Sequence, residues 1–406
     1  MNVISSIFKV NYKNILLVII VIFNFYFPKG GFKISNIPIT WGYLLFYILV
    51  TICFVKKISN GFQSSLLRWR CMIMILPFQL FTLGTLIING YDDIGWALSF
   101  FLNVVFIPTS MIIILDEEIE NLDLLFLHKI LKYGMIFLCL FGLIHFVYGF
   151  LNSGESLEIP YLTVNGADED ILNAKHNNRG GIYKLISTYN NGNIFGTSML
   201  LVLPFYEYLE KSKVIKVLLK ITLFLTIART VWIGLVINEF LKIFYASTSG
   251  KISTRVIIGS LLFITILGLS VFFTSDIFFS EVDVLDPELG GRSYQLEFLT
   301  NAKLINTEQY TQIAEILYLS IIKNFGILGF VLFIPFLFSP ILLNFNTKNS
   351  GKKIILVSLI NYVIIAGSDG AFQYIPIMLF YWFMGSLSLR KNIFEKSANE
   401  KKAFGN

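Results

Sequence analysis

Three arginines stand where their side chains could bind an anion. Arg179 comes directly before a Gly-Gly pair, Arg292 comes directly after one, and Arg229 lies in "TIARTVW" between two apolar runs. Glycines allow turns that expose backbone N–H groups, and a guanidinium group binds phosphate or carboxylate through two parallel hydrogen bonds. Because the surrounding chain is strongly apolar, the anion that we expect here is a lipid-linked phosphate.

Each arginine also has a plainer interpretation. Taken singly, Arg179 and Arg292 are typical of solvated loop residues. An arginine inside a bilayer costs about 2.5–3.5 kcal/mol on insertion scales, so Arg229 could instead extend to the membrane interface, with Trp232 beside it in an aromatic belt. A shared anion site is favoured because all three arginines are expected on one side of the membrane.

The composition predicts a membrane protein. The chain has 406 residues, of which 55% are hydrophobic and 14% charged, whereas a soluble domain carries about 25% charged residues. With so little charge the chain cannot cover a water-facing surface. We therefore expect an all-α polytopic membrane protein whose main elements are spanning helices.

Hydropathy predicts about twelve transmembrane helices, since about 20 apolar residues cross the hydrocarbon core of a bilayer. An even number of spans places both termini on one side, which we expect to be the cytoplasm. The predicted spans are 14–28, 38–55, 71–89, 94–115, 133–150, 192–209, 214–229, 230–247, 256–275, 326–343, 354–368 and 372–389.

The distribution of basic residues supports this topology. Of the 32 Lys and Arg residues, 23 fall on the proposed cytoplasmic side and nine on the other, as the positive-inside rule expects. The distribution also argues against a nucleic-acid partner, because the basic residues mark one face and form no single patch. The nine are Lys29, Lys33, Lys175, Arg179, Lys184, Arg229, Arg292, Lys303 and Lys323.

Two long polar segments interrupt the short loops, at 151–190 and 276–325, and both are predicted on the outer face. Long loops in compact proteins are usually functional or disordered, and the aromatics and glycines in these two favour function. The acidic run Asp168–Asp170 in the first is expected to be solvated. Since the sequence has no cluster of His or Cys, we predict no metal and no cofactor.

Three stretches resemble the Wzy-type polymerases of bacterial surface polysaccharides, which belong with the O-antigen ligases. "NNRGGIYKLISTYNNGNIFGTSMLL" resembles the Arg–Gly stretch that leads into a helix in that family. "TIARTVWIG" resembles its Ser-Arg-x-x-Trp-like signature, with Ala228 in place of the Ser, and "AEILYLSIIKNFGILGF" resembles the segment that enters the tenth span. Glu315 stands where the ligases have a histidine, which favours a polymerase over a ligase.

The resemblance implies a fold similar to the GT-C glycosyltransferases and a site on the outer face of the bacterial plasma membrane. The implied donor is a glycan on undecaprenyl diphosphate, and the acceptor is a hydroxyl group of a new lipid-linked repeat unit. The implied reaction is metal-independent, inverts the anomeric centre and releases the polyprenyl diphosphate. The product would be O-antigen or capsule, with membrane lipid and a chain-length regulator protein as partners.

The resemblance also assigns roles to residues. Arg179, Arg229 and Arg292 would bind the diphosphate and stabilise the charge that gathers on it in the transition state. Glu315 is the candidate general base, with His176 as the second candidate and His145 as a weaker one. Supporting roles fall to Tyr189, Asn193, Tyr318 and Asp369, the last of which would orient an arginine.

Two other functions fit a protein of this kind. One is an O-antigen ligase that transfers the glycan to lipid A core, and the other is a transporter or flippase of lipid-linked oligosaccharides. Ion-coupled transporters place ionisable residues near the middle of the membrane, whereas Glu207, Glu239 and Asp369 are predicted near the ends of spans. The long outer segments therefore favour surface catalysis over transport.

Overall fold

The structure is a computed structural model, and it describes residues 12–34, 37–59, 61–152, 154–165, 177–179, 182–246 and 292–391. Helix accounts for 73% of it and strand for 4%, as expected for an all-α membrane protein. Two small antiparallel hairpins supply the strands. The first pairs β1 (Gly31–Ile34) with β2 (Ile37–Thr40), and the second pairs β3 (Asn178–Arg179) with β4 (Ile182–Tyr183).

Six helices in the described part of the chain are long and apolar enough to cross a membrane, which identifies the molecule as a membrane protein. They are only partly buried inside the protein, and their high hydropathy suits the outward faces to contact with lipid. They are α2 (Trp41–Ser59), α3 (Leu66–Asn89), α4 (Ile94–Ile114), α6 (Leu124–Leu151), α11 (Leu317–Asn344) and α12 (Ser350–Asp369).

Shorter helices complete the described bundle. The first, α1, runs over Tyr12–Leu17 and continues as a π-helix over Val18–Tyr26. The others are α5 (Asp116–Glu120), α7 (Gly192–Leu209), α8 (Lys213–Phe224), α9 (Arg229–Ala246), α10 (Glu297–Thr300) and α13 (Ile375–Ser388).

Helices lie at eleven of the twelve predicted spans, and the twelfth, 256–275, lies outside the described residues. The total number of spans therefore stays a prediction. Several helices begin earlier than hydropathy indicated: α6 begins at Leu124 and α11 at Leu317. Hydropathy locates the apolar part of a helix, whereas α6 begins with turns that carry His128, and α11 has a further segment with Lys323 before a break at Gly326.

A glycine inside α11 joins the helix to the segment before it. Gly326 has φ +74°, a value that residues with a Cβ rarely adopt. The N–H groups of Ile327 and Leu328 donate to the carbonyl oxygens of Lys303 and Leu304, at 2.9 and 3.0 Å. A Cβ at Gly326 would lie 2.6 Å from the Leu304 oxygen. The break in α11 therefore holds the 303–305 backbone against the helix.

The centre of the bundle is formed by α12 and α13. All 14 residues of α13 are buried, and α12 packs against α7, α9, α11 and α13. Asn361 and Asp369 of α12 are among the buried polar residues. Helices surrounded by other helices, and not by lipid, are where a membrane protein can hold polar side chains.

Contacts between chain segments distinguish two ends of the described bundle. At one end, Lys57 forms an ion pair with Asp116, and Arg390 donates to the Leu122 carbonyl oxygen. At the other, which we call the Asp369 end, α12 terminates and α7, α9 and α11 begin. The side of the membrane that each end faces stays a prediction from the distribution of basic residues.

Candidate functional site

Arg292 connects two carboxylates at the Asp369 end. Its Nη2 donates to Asp369 Oδ2 across 3.1 Å, and its Nε donates to the carboxylate of Glu315. The Arg292 side chain is 16% exposed, that of Asp369 8% and that of Glu315 52%. Arg292 therefore pairs with one buried carboxylate, that of Asp369, and with a second carboxylate, that of Glu315, which is half-exposed to solvent.

Asp369 is positioned by two helix ends. It is the last residue of α12, and its Oδ2 accepts a hydrogen bond of 2.8 Å from Nδ2 of Asn193 in the first turn of α7. That turn is fixed by Asn191, whose side chain accepts from the Asn193 N–H at 2.8 Å. Two rigid elements therefore fix the carboxylate that orients Arg292.

Glu315 lies just before α11 on a short segment that is tied on both sides. Its carbonyl oxygen accepts from the Gly370 N–H at 3.2 Å. The N–H of Ile316 donates to Gln295 at 3.0 Å, and the N–H of Ala314 donates to Ser320 at 2.8 Å. The backbone is consequently fixed, while the carboxylate itself is half-exposed to solvent.

The charges in this cluster are unequal, since one guanidinium group faces two carboxylates. Burial opposes the charge on Arg292, but the hydrogen bond with Glu315 and the charge of Asp369 outweigh it, so the pKa of Arg292 lies above its ordinary value. The arginine therefore keeps its charge at any physiological pH. An incoming anion that takes the place of Glu315 would find this charge already in position.

Arg229 lies at the same end of the bundle, as the first residue of α9. The next residue, Thr230, has its hydroxyl group 3.2 Å from that of Ser368, the neighbour of Asp369. The expected aromatic-belt position of Trp232 is not what the structure shows. That side chain is 9% exposed, stacks on Phe224 and donates to its carbonyl oxygen at 2.9 Å.

The third arginine, Arg179, lies on strand β3. The hairpin continues into Lys184 and Leu185, and the N–H of Leu185 donates to the Leu225 carbonyl oxygen at 3.0 Å. That oxygen belongs to the turn that precedes Arg229, so the hairpin extends to the same end of the bundle. His176 and the acidic run at 168–170 lie outside the described residues.

Two of the supporting residues act in packing. The Tyr189 hydroxyl donates to the Phe25 carbonyl oxygen at 2.9 Å and is buried, and the Tyr318 hydroxyl donates to the Val363 carbonyl oxygen at 2.5 Å. The second contact ties α11 to α12 close to Asp369. His145 is 3% exposed, with Nδ1 3.3 Å from the Ser187 carbonyl oxygen, which is the environment of a packed polar residue and not of a base.

Arg292 and Glu315 line a groove of about 710 Å³. We call it the Trp96 groove, after the exposed indole among its lining residues. Both are among the candidate site residues that the sequence indicated. The lining residues are Asp92, Asp93, Trp96, Arg292, Tyr294, Gln295, Phe298, Thr311, Gln312, Ile313, Ala314, Glu315 and Lys323.

The sequence interpretation missed the side chains that hold the site together. Gln295 is 1% exposed and accepts from the backbone beside Glu315. Gln373 donates to the Tyr310 hydroxyl at 2.7 Å and accepts from the Ile313 N–H at 3.2 Å. Nothing in the local sequence indicates that these glutamines hold the site together. Gln295 accepts from a residue 21 positions away and Gln373 from a residue 60 positions away along the chain.

The described side chains include no group of three or more His, Cys, Asp or Glu that could hold a metal ion. The site contains one fixed cation, Arg292, one buried carboxylate, Asp369, and one half-exposed carboxylate, Glu315. This arrangement can bind an anion and accept a proton beside it. No family model, curated protein or solved structure matches the chain.

Proposed function

We propose that the protein is a glycosyltransferase that joins polyprenyl-diphosphate-linked oligosaccharide repeat units into a surface polysaccharide, O-antigen or capsule. The reaction takes place on the outer face of the bacterial plasma membrane, with both termini of the chain in the cytoplasm. The proposal rests on the resemblance to Wzy-type polymerases and on the cluster around Arg292.

The observation that carries the proposal is the convergence of four side chains from separate segments. Asn193, Arg292, Glu315 and Asp369 meet at one end of an apolar helix bundle. A lipid-linked diphosphate must present its headgroup at such an end while its chain stays in lipid. The cluster then supplies what a departing diphosphate needs, a preorganised cation at the edge of the membrane.

Binding of the donor begins with an exchange at Arg292. An oxygen of the diphosphate replaces the Glu315 carboxylate on the guanidinium group, while Asp369 keeps its hydrogen bond to Nη2. Because Asp369 is itself held by Asn193, the arginine does not have to reorganise as charge accumulates on the leaving group. Arg229 and Arg179 are expected to contribute further positive charge.

The released Glu315 then acts as the general base. The acceptor hydroxyl oxygen forms a bond to the anomeric carbon, its proton passes to Glu315, and the bond between that carbon and the diphosphate oxygen breaks. The electron pair of the broken bond stays on the diphosphate, which leaves on its polyprenyl chain. Attack from the face opposite the leaving group inverts the anomeric centre. A general base of this kind contributes roughly 10²–10⁴-fold to the rate.

Glu315 also bears on the choice between polymerase and ligase. Where ligases have a histidine, this chain has a carboxylate that pairs with Arg292. The acceptor in our proposal is therefore another repeat unit and not lipid A core. A chain-length regulator protein is a proposed partner of the polymerase.

Reconstitution tests the proposal. Purified protein in proteoliposomes receives lipid-linked repeat units extracted from cells that lack the gene. We expect a ladder of glycan lengths and one polyprenyl diphosphate released per unit joined. Arg292→Ala should abolish the ladder, whereas Arg70→Ala, at an exposed position near the start of α3, should preserve it. Movement of the lipid-linked units across the bilayer without any ladder would show a flippase instead.

A further inference from the structure

We infer that the Trp96 groove is the acceptor site, where a sugar ring of the incoming repeat unit packs on Trp96 and directs a hydroxyl group to Glu315. This inference rests on the proposed function, because it assigns one of the two substrates of that reaction to one side of Arg292. It goes beyond that function in naming the surface and the residues that recognise the sugar.

The groove has the shape and size for a glycan. Its volume of about 710 Å³ falls in the range of about 300–1,000 Å³ that is usual for small-molecule sites. It lies between three segments: the start of α4 with Trp96, the turn that carries Tyr294, and the backbone of 311–315 that leads to Glu315. The candidate base therefore stands in the wall of the groove itself.

The walls of the groove are rigid because buried polar side chains hold them together. Tyr310, 2% exposed, forms backbone hydrogen bonds with Gly90 and Asp92 on the α3–α4 loop. Its hydroxyl accepts from Gln373 at 2.7 Å. The N–H of Thr311 donates to the buried Asn324 at 2.8 Å. Such preorganisation reduces the entropy that binding would otherwise cost.

The exposed groups in the groove match the chemistry of a sugar. Trp96 is 40% exposed, and an indole offers a flat apolar face for the C–H groups of a pyranose ring together with an N–H donor. Asp92 and Gln312 are exposed, and among the described residues neither side chain has a hydrogen-bond partner or ion pair. A carboxylate and an amide can each bind ring hydroxyl groups.

The position of Arg292 separates the two substrates. Arg292 and Glu315 line the groove, whereas Asp369 and Asn193, which hold the arginine from α12 and α7, do not. In this proposal the diphosphate of the donor takes the place of the Glu315 carboxylate on Arg292, and the released Glu315 turns into the groove. An acceptor in the groove is then opposite the leaving group, as inversion requires.

The test measures sugar binding apart from catalysis. The probe is the oligosaccharide released by mild acid from the lipid-linked units that accumulate in cells lacking the gene. Its affinity for the purified protein is measured by saturation-transfer NMR, and inorganic pyrophosphate affinity is measured in parallel by calorimetry. Trp96→Ala should weaken oligosaccharide binding by about tenfold or more, as the loss of one aromatic contact would, and Asp92→Asn should weaken it less. Pyrophosphate binding should not change in either variant.

Matched variants separate the outcomes. Trp69, 38% exposed at the opposite end of the bundle, provides the control, and Trp69→Ala should bind the oligosaccharide like the unaltered protein. Trp96→Phe should restore most of the affinity. Equal oligosaccharide affinity in the Trp96→Ala variant and the unaltered protein, in a preparation that makes a ladder, would overturn the acceptor site alone. Trp96-dependent binding in a protein that makes no ladder would uphold the sugar site and overturn the polymerase.

Discussion

Arg292 donates to Asp369 across 3.1 Å, although 77 positions separate the two residues in the chain. The contact joins the segment before α11 to the end of α12 at a point where Asn193 also meets the carboxylate. It keeps a buried aspartate paired, which avoids the large cost of an isolated charge in a low-dielectric environment. The same contact leaves Nε of the arginine to pair with Glu315, which lines the groove.

Removal of the Arg292 guanidinium group should weaken anion binding. Charge-assisted hydrogen bonds contribute about 1.5–3 kcal/mol each, so Arg292→Ala should weaken pyrophosphate binding by roughly tenfold to a hundredfold. Arg292→Lys keeps the charge but loses the two-pronged geometry, and it should recover only part of the affinity. Calorimetry in detergent measures both. Full pyrophosphate affinity in a folded Arg292→Ala protein would contradict the assignment.

Removal of the Glu315 charge should have opposite effects on binding and on catalysis. In the structure Glu315 occupies Arg292, so Glu315→Gln should free the arginine and strengthen pyrophosphate binding by about threefold to tenfold. Chain growth should fall by roughly 10²–10⁴-fold, because the general base is lost. Pyrophosphate affinity and chain growth are both measured on the same preparation. A variant with weaker pyrophosphate binding, or with undiminished chain growth, would refute the exchange at Arg292.

Substitution of Gly326 should destabilise the packing of the 303–305 backbone against α11. A side chain at φ +74° is strained, and a Cβ would lie 2.6 Å from the Leu304 oxygen, so Gly326→Ala should cost about 1–3 kcal/mol of stability. Gly84→Ala is the control, because a Cβ at Gly84 meets nothing within 4 Å. Thermal unfolding in detergent compares the two variants. Equal melting temperatures for the two variants would show that the break in α11 does not contribute to stability.

Acid should weaken the end of the bundle opposite Asp369 through Glu210. Burial raises the pKa of this carboxyl, but the hydrogen bond from the Ser212 N–H and the charges of Lys132 and His128 outweigh it and lower the pKa below its ordinary value. The contribution of Glu210 to stability is therefore complete above that ordinary value, about 4.3, and is lost as the pH falls through the lowered pKa.

The measurement for Glu210 is the melting temperature of the detergent-solubilised protein between pH 7 and pH 3. The unaltered protein should lose stability as the acid limit is approached. Glu210→Gln should be less stable at pH 7 and should lose less on acidification. Parallel curves for the two proteins would exclude Glu210 as the source of the acid sensitivity.

The elements of the fold follow from local patterns in the sequence, and the site does not. Apolar runs located eleven of the predicted spans as helices, because hydropathy acts residue by residue along one segment. The early start of α11 at Leu317 was missed, since Lys323 and Asn324 interrupt the apolar pattern. Arg292 and Glu315 attracted notice by residue type and motif, but their mutual contact depends on how distant segments pack.

The groove residues show the same limit. Asp92 lies in a short loop after α3, and Trp96 lies in the first turn of α4. Their role as walls depends on Tyr310, which lies more than 200 positions later and pairs with that loop through backbone hydrogen bonds. No local signal in the sequence predicts such a pairing, so the acceptor site could only be proposed from the fold.

The most direct test of the central claim is a cryo-EM structure of the protein with bound undecaprenyl diphosphate. Our account predicts phosphate oxygens within about 3 Å of the Arg292 guanidinium group, the Asp369 contact intact, and the Glu315 side chain turned into the Trp96 groove. A headgroup bound elsewhere, with Arg292 still paired to both Glu315 and Asp369, would contradict the account.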